Sequence, residues 1–299
     1  VQLQAGIDQA EPTVDHPRGR LTGRVVEGIS GLPAVPTVLA EILSTLEDDN
    51  ATASTLERLI RRDQALSSKL LSVANSAYYG FVAPITTLKR AVVVLGLGEV
   101  RKLCLGAGVF NLLHSRRVRN QARVEALWTH SLAVAEAARI IAARTKRTDP
   151  EQAFTGGLLH DLGKLVLAAF FPEELEAVAE LARSEAIPFH QAEAELGVDH
   201  EDLGIQLAEH WRLPPMLAEV MGRHHEPYPG LGFLNLVASV HVGDCLAHQV
   251  WSDHSPAVGR HPFPEALGAL ALGEEGLWWV RRRLEKRGEA IDQLRASLA

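Results

Sequence analysis

The residues best suited to chemistry lie in the run Gly156-Gly157-Leu158-Leu159-His160-Asp161-Leu162-Gly163-Lys164. Adjacent histidine and aspartate at the end of an apolar helix serve packing poorly. Successive helical side chains point about 100° apart, so the pair converges on one ion only near a helix end. Imidazole nitrogen with carboxylate oxygen suits a borderline-to-hard divalent ion: Mn, Fe, Ni or Zn. Lys164 stands one turn beyond His160 on the same face, within reach of a phosphate oxygen at such an ion. Further donors lie elsewhere in the chain. His130 follows Trp128 in a long helix, and His200 opens a helix after Asp199. His224-His225-Glu226 closes a helix before Pro227. Asp244 sits in an apolar helix, where an unpaired carboxylate would be costly. Each of these alone reads as an ordinary residue. His241, one turn before Asp244, reads as a buried neutral imidazole. His190, His210, His248, His254 and His261 match no motif and read as ordinary.

Helices must position these donors. Pro36 suits a first helical turn, with Val38, Leu39, Ile42, Leu43 and Leu46 behind it at helical spacing. Ser54-Thr55-Leu56-Glu57 fits a capping box. Leu66, Leu70, Leu71 and Val73 form the next stripe, broken by a turn at Asn75-Ser76-Ala77-Tyr78-Tyr79-Gly80, which Asn75 and Ser76 are expected to cap and tie. Val92-Val93-Val94-Leu95 is the best strand candidate, but its helix-like flanks make it a buried helix. The basic stretch His114, Arg116, Arg117, Arg119 and Arg123 reads as a solvated joint between two helical halves. Leu127–Ala143 is a long amphipathic helix, and Asp149-Pro150 starts another as N-cap and first helical residue. Stripes at helical spacing continue to 250. The charged tail Glu274–Ala299, with Trp278 and Trp279, is expected to pack back onto the body. Residues 1–24 are polar, with Pro12 and Pro17, and read as a linker or leader. No sheet is credible, so the class is all-α.

Composition narrows the function. The chain has 299 residues, 46% hydrophobic and 22% charged, an ordinary globular mix with room for a large core. Thirty Lys and Arg against 37 Asp and Glu give a net charge of −7, which argues against coating a nucleic acid. Cys104 and Cys245 lie in separate apolar runs and read as buried thiols, as in a reducing cytoplasm. No uncharged apolar run approaches the ~18–20 residues a membrane span needs. Residues 1–20 have no apolar segment of signal-peptide type.

In its order of donors, His130 … His160-Asp161 … Asp244, the chain resembles the HD superfamily of metal-dependent phosphohydrolases. It resembles most closely the signalling branch of that superfamily, the HDOD domains (HD-related output domains). The match rests on Leu32-Pro33-Ala34-Val35-Pro36; on Arg62–Leu71 running into Ala74–Gly80; on Ala91–Gly96; and on the His160-Asp161 pair. It continues through Glu195-Leu196-Gly197, His200, Trp211-Arg212-Leu213-Pro214 and His224-His225-Glu226-Pro227, covering roughly residues 29–250.

The resemblance implies an N-terminal helical bundle, residues 25–121, packed on an HD-type helical core, residues 122–261, with a helical tail at 262–299. It implies one or two divalent transition-metal ions on His130, His160, Asp161 and Asp244, with His200, His224 and His225 adjoining as in the related HD-GYP domains. Two departures stand out. Some multi-metal relatives carry Glu one turn before the first histidine, where this chain has Ala126. The loop Pro227–Leu231 is shorter than the HD-GYP loop. The expected function is a bacterial signal-transduction module that binds a signalling protein partner or a nucleotide. The alternative is a metal-dependent phosphodiesterase acting on a nucleotide second messenger, with Asp161 and Lys164 in catalytic roles. No membrane partner is implied.

Overall fold

A computed structural model describes residues 37–45, 51–75, 79–81, 83–114, 121–251 and 261–298. The 1–24 leader, Leu32–Pro36, Ser76–Tyr78, Arg116–Arg119 and His254 lie outside the described residues. Within them the fold is all-α. The short helices Thr37–Ser44, Ala53–Ile60, Gln64–Ala74 and Leu88–Leu95 precede the longer Leu97–His114. The 25-residue helix Gln121–Thr145 then anchors the second half, packing along Pro150–Leu159 and Leu234–Trp251. Leu162–Phe170, Pro172–Ser184, Phe189–Leu196, His200–His210 and Pro215–Arg223 lie between those two in the chain; Pro264–Leu270, Glu274–Glu285 and Gly288–Leu298 follow.

Local chemistry explains several boundaries. The Asp149 side chain accepts from the backbone of Glu151 and Gln152, and Pro150 occupies the first turn, so this start follows the sequence expectation. The expected capping box at Ser54 is displaced by two residues. Thr52 is the N-cap, its hydroxyl accepting from Thr55 N–H, and Ala53 opens the helix. Asn75 ends its helix and ties the following turn, donating to the carbonyls of Leu71 and Ile85 and accepting from Ile85 N–H. Leu88–Leu95 is a helix, but it is not buried throughout: Val92 is buried, whereas Val93 is 69% exposed. Its β-branched run packs on one face only.

One hydrophobic core joins the two halves, with Ile42, Leu70 and Val100 in the same cluster as Trp128, Leu158 and Leu217. Cys104 and Cys245 are both buried, and neither forms a disulfide. The C-terminal helix Gly288–Leu298 contacts Gln64–Ala74, Leu97–His114 and Gln121–Thr145, and buries Ile291 and Leu294 in that core. A second cluster packs Ile141, Val242, Leu246, Leu270, Val280 and Leu284. Trp279 packs against this cluster under the guanidinium of Arg144, while Trp278 stays 62% exposed. The stretch Pro150–Phe170 has the length and hydropathy of a membrane span, yet its most apolar 18 residues are 89% buried inside the fold and the His160-Asp161 pair interrupts it.

Close backbone approach sets the geometry around that pair. A Cβ on Gly157 would meet the Ala135 backbone at 2.7 Å, and one on Gly163 would meet the His200 carbonyl oxygen at 2.1 Å. Only glycine at 163 lets the helix that opens at His200 seat against Asp161. Gly163→Ala is therefore expected to lower stability by about 1–3 kcal/mol through overpacking. A thermal or urea midpoint indistinguishable from that of the parent protein would refute this close-contact account.

Candidate metal centre

Five separate segments deliver the donors. His130 comes from Gln121–Thr145, and His160 and Asp161 from the break between Pro150–Leu159 and Leu162–Phe170. His200 opens His200–His210, His224 and His225 follow Pro215–Arg223, and Asp244 lies in Leu234–Trp251. Asp161 occupies an N-cap position but makes no capping hydrogen bond with its side chain. Its carboxylate turns inward instead. Lys164 Nζ donates to both of its oxygens, at 2.8 and 3.0 Å. His160 Nε2 stands 3.4 Å from Asp161 Oδ2, and the Nε2 atoms of His200 and His224 each stand 3.5 Å from Oδ1.

The other nitrogen of each ring is already engaged. His160 Nδ1 lies 2.7 Å from the Gly157 carbonyl oxygen, and His224 Nδ1 lies 3.2 Å from that of Val220. A carbonyl only accepts, so Nδ1 carries the proton in both rings and Nε2 presents a lone pair. His200 Nδ1 faces the buried carboxyl of Glu193, the arrangement that orients a metal-binding histidine. His225 Nε2 lies 3.1 Å from His200 Nε2, and its backbone N–H donates to Glu201. The Nε2 atoms of His130, His160 and His224 are buried without a hydrogen-bond partner. An unsatisfied buried acceptor costs about 1–3 kcal/mol, a cost that a cation at this point would remove.

Protonation agrees with that chemistry. Burial holds His200, His224 and His225 below the usual imidazole range and pushes His130 down to about 4. Burial opposes ionisation of Asp161, but Lys164 and His160 outweigh it and hold the carboxyl well below its ordinary range. His160 is also disfavoured by burial, yet Asp161 raises it above its ordinary value. Glu193 is pushed well above the carboxylate range by burial, and Glu201 is pushed up to about 8 by the same cause. The neutral imidazoles of His130, His200, His224 and His225 beside an ionised carboxylate form a donor set suited to a divalent ion.

Three overlapping groups have donor atoms within 4.8 Å of one another: Asp161 with His200, His224 and His225; His130 with His160 and Asp161; and His130 with Asp244 and His248. The structure thus gathers all seven candidate donors around one centre. Lys164 is placed on Asp161 rather than open to an incoming phosphate. His248, expected to be ordinary, stands instead beside Asp244, with Nε2 3.3 Å from Oδ1. Its position one helical turn after Asp244 was the available sequence signal. Glu193 and Glu201 had no such signal, because only folding carries them to His200 and His225. His241 is buried and neutral as expected: Nδ1 donates to the His224 carbonyl at 2.8 Å, and Nε2 accepts from Phe263 N–H at 3.1 Å. It thereby braces the histidine pair from behind.

An all-α core with His-Asp donors contributed by several helices defines an HD-type domain, able to hold a divalent metal. The HDOD domain profile matches residues 32–227, and the chain belongs to the HDOD family, within the wider HD and HD-GYP phosphohydrolase superfamily. An HDOD domain protein of unknown function from Geobacter sulfurreducens is 27% identical, with a TM-score of 0.70 over 92% of this chain and 95% of that one. A Shewanella amazonensis protein provisionally named a phosphohydrolase shares the fold at 24% identity, with a TM-score of 0.69 over 92% of this chain and 98% of that one. An uncharacterised protein of Treponema pallidum is 27% identical over 228 residues, 74% of this chain. The match spans 43% of that relative's length.

Metal bound by the native state alone stabilises it by mass action. Chelation is therefore expected to lower the melting temperature, and His160→Ala to abolish the chelator response. Equal responses in both proteins would place any metal elsewhere. Glu193→Ala, which removes the acceptor that orients the His200 ring, is expected to reduce metal affinity about 10–100-fold. An unchanged binding isotherm would remove Glu193 from this role.

Proposed function

We propose that the protein is an HDOD signal-transduction module whose HD-type centre holds a divalent transition metal as a structural and regulatory element. Output would come from binding a signalling protein or a nucleotide rather than from turnover. His130, His160, Asp161 and Asp244 would hold the metal, with His200, His224 and His225 beside them. The observation that carries this reading is enclosure. His160 and His200 are 1% exposed, Asp161 2% and His224 not at all. Catalytic metal sites keep a coordination position open to water or substrate. Here Lys164 donates to both oxygens of Asp161, and His160, His200 and His224 stand against the same carboxylate.

The phosphodiesterase reading is supported by the family and by the donor set. A bound divalent ion would supply positive charge to a phosphoryl oxygen and make water a better nucleophile at neutral pH. This chain's own residues limit that route. The lysine that could hold a phosphoryl group is committed to Asp161, and Ala126 contributes no ligand one turn before His130. The regulatory reading instead uses the metal to tie five segments together, so that occupancy sets the rigidity of the second half.

The test is incubation of Mn- or Fe-loaded protein with cyclic di-GMP and with simple phosphodiesters, with Asp161→Ala as control. Little or no turnover is expected, whether or not cyclic di-GMP binds saturably. Product formation that disappears in Asp161→Ala would overturn the module reading in favour of the enzyme.

A further inference from the structure

A pocket of about 280 Å³ opens where the two halves of the fold meet the C-terminal helix, and none of its lining residues is a candidate metal donor. Glu136 and Arg139 bring the Gln121–Thr145 helix to it, Glu99 and Lys102 come from Leu97–His114, and Ile291 and Leu294 from Gly288–Leu298. Arg139 lies about 13 Å beyond His130 along the helix axis. We propose that this pocket binds a small organic oxyanion built on one planar ring, the ring lying on Phe81 and the phosphate or carboxylate meeting Arg139 and Arg287. The proposal does not depend on the metal centre, and it rests on the module reading only for what the bound ligand would do.

The charges at this pocket fall into two groups. In the first, Lys102 is buried; its Nζ donates to Glu99 at 2.8 Å, stands 3.3 Å from Glu151 and lies over the Phe154 ring. Tyr79 O–H donates to the other Glu99 oxygen at 2.6 Å. Lys102 is thereby committed to the two acids. In the second group, Arg139 donates Nε and Nη2 to Glu136 at 2.9 and 2.7 Å, and Arg287 Nε stands 3.2 Å from the same carboxylate. Two guanidiniums thus share one carboxylate. Each guanidinium carries five N–H donors. Arg139 Nη1 and both terminal nitrogens of Arg287 make no hydrogen bond among the described residues. Unused donors on planar forks suit the oxygens of a phosphate or carboxylate, and Glu136 holds both forks in place beforehand.

Aromatic and aliphatic side chains form the rest of the wall. Tyr79 and Phe81 both line the pocket and hold their rings parallel to within 3°, with centroids 6.1 Å apart. Phe81 is 40% exposed and Val94, also in the lining, 42% exposed, so apolar surface is left uncovered there. A planar ring stacked on Phe81 would cover it. The volume lies just below the ~300–1,000 Å³ of small-molecule sites. It admits one ring with its oxyanion and is too small to enclose a cyclic dinucleotide. A purely structural ion-pair network explains why Glu136 ties Arg287, at the start of the C-terminal helix, to Gln121–Thr145. It does not explain guanidinium donors left unused in the lining of a pocket that also carries an exposed aromatic ring.

The experiment titrates adenosine 5′-monophosphate, guanosine 5′-monophosphate and phenylacetate into the full chain by calorimetry, with and without chelator. Adenosine, guanosine and phenylacetamide serve as counterparts that lack the oxyanion. At least one of the three oxyanions is expected to bind saturably at one site per chain, at least ten-fold more tightly than its counterpart and equally well in chelator. Binding by the monophosphates would identify the oxyanion as a phosphate, and binding by phenylacetate as a carboxylate. Arg287→Gln and Phe81→Ser, both at partly exposed positions, should each weaken binding at least ten-fold, while the unliganded variants melt with wild type. No saturable binding of any oxyanion would overturn the proposal, as would binding that both variants retain or that the counterparts match. Binding lost in chelator would move the ligand to the metal centre and overturn the pocket as well. Cyclic di-GMP binding that neither variant alters, without binding of the smaller probes, would overturn the pocket and leave the module reading standing.

Discussion

A buried carboxylate organises the second half of this protein. Asp161 is 2% exposed, and leaving such a charge uncompensated away from water would cost several kcal/mol. Lys164, three residues on, donates to it directly, and three imidazole nitrogens, one from the neighbouring His160 and two from His200 and His224 elsewhere in the chain, stand 3.4 to 3.5 Å from the same group. Their remote nitrogens are fixed by the Gly157 and Val220 carbonyls and by Glu193. The rings cannot rotate away without losing those bonds. Asp161 is therefore the point at which the helical break, the His200 helix and the histidine pair are held in register.

The glycines make this possible by distance rather than by flexibility. At 157 and 163 the facing backbone occupies the space a methyl group would take. The first brings Pro150–Leu159 against Gln121–Thr145, the helix that carries His130. The second brings His200 to Asp161. The Gly-Gly-x-x-His-Asp-x-Gly pattern is thus a packing device as well as a ligand motif, and the two roles explain why apolar and ligand residues are so closely interleaved there.

The enclosure of Asp161 and its imidazole neighbours bears on what an ion there would do. An ion on Asp161 would be shielded from solvent and would act on stability. The C-terminal helix adds a mechanical link, since Ile291 and Leu294 lie in the same core as the N-terminal helices and the helix Gln121–Thr145. A change in rigidity around His130 would be felt along that shared helix. Under the proposed reading, in which output is binding, such coupling is a physical route from site to surface.

The sequence by itself determined the helical class, the Asp149-Pro150 helix start and the buried character of Cys104 and Cys245, and its resemblance to the HDOD domains pointed to the seven candidate donors. The first three follow from local pattern: helical spacing, a side chain that can cap, and cysteines inside apolar runs; of the donors, only the His160-Asp161 pair stands out locally, as too polar for its apolar setting. Sequence reading misplaced the cap at Thr52 by two residues, because two hydroxyl residues close together compete for one role and tertiary packing chooses between them. It also buried Val93, since a β-branched run does not reveal that only one face meets a partner. What only the tertiary structure decided is which donors meet, which nitrogen each presents, and who supports them. Glu193 approaches His200, Glu201 approaches His225, and His241 braces the His224 carbonyl from 17 residues away. His248 joins Asp244 at a spacing that any helix offers to many pairs. Helical periodicity fixes the face on which a side chain lies. The partner across that face is set by how whole helices pack, and that depends on contacts between residues far apart in the chain.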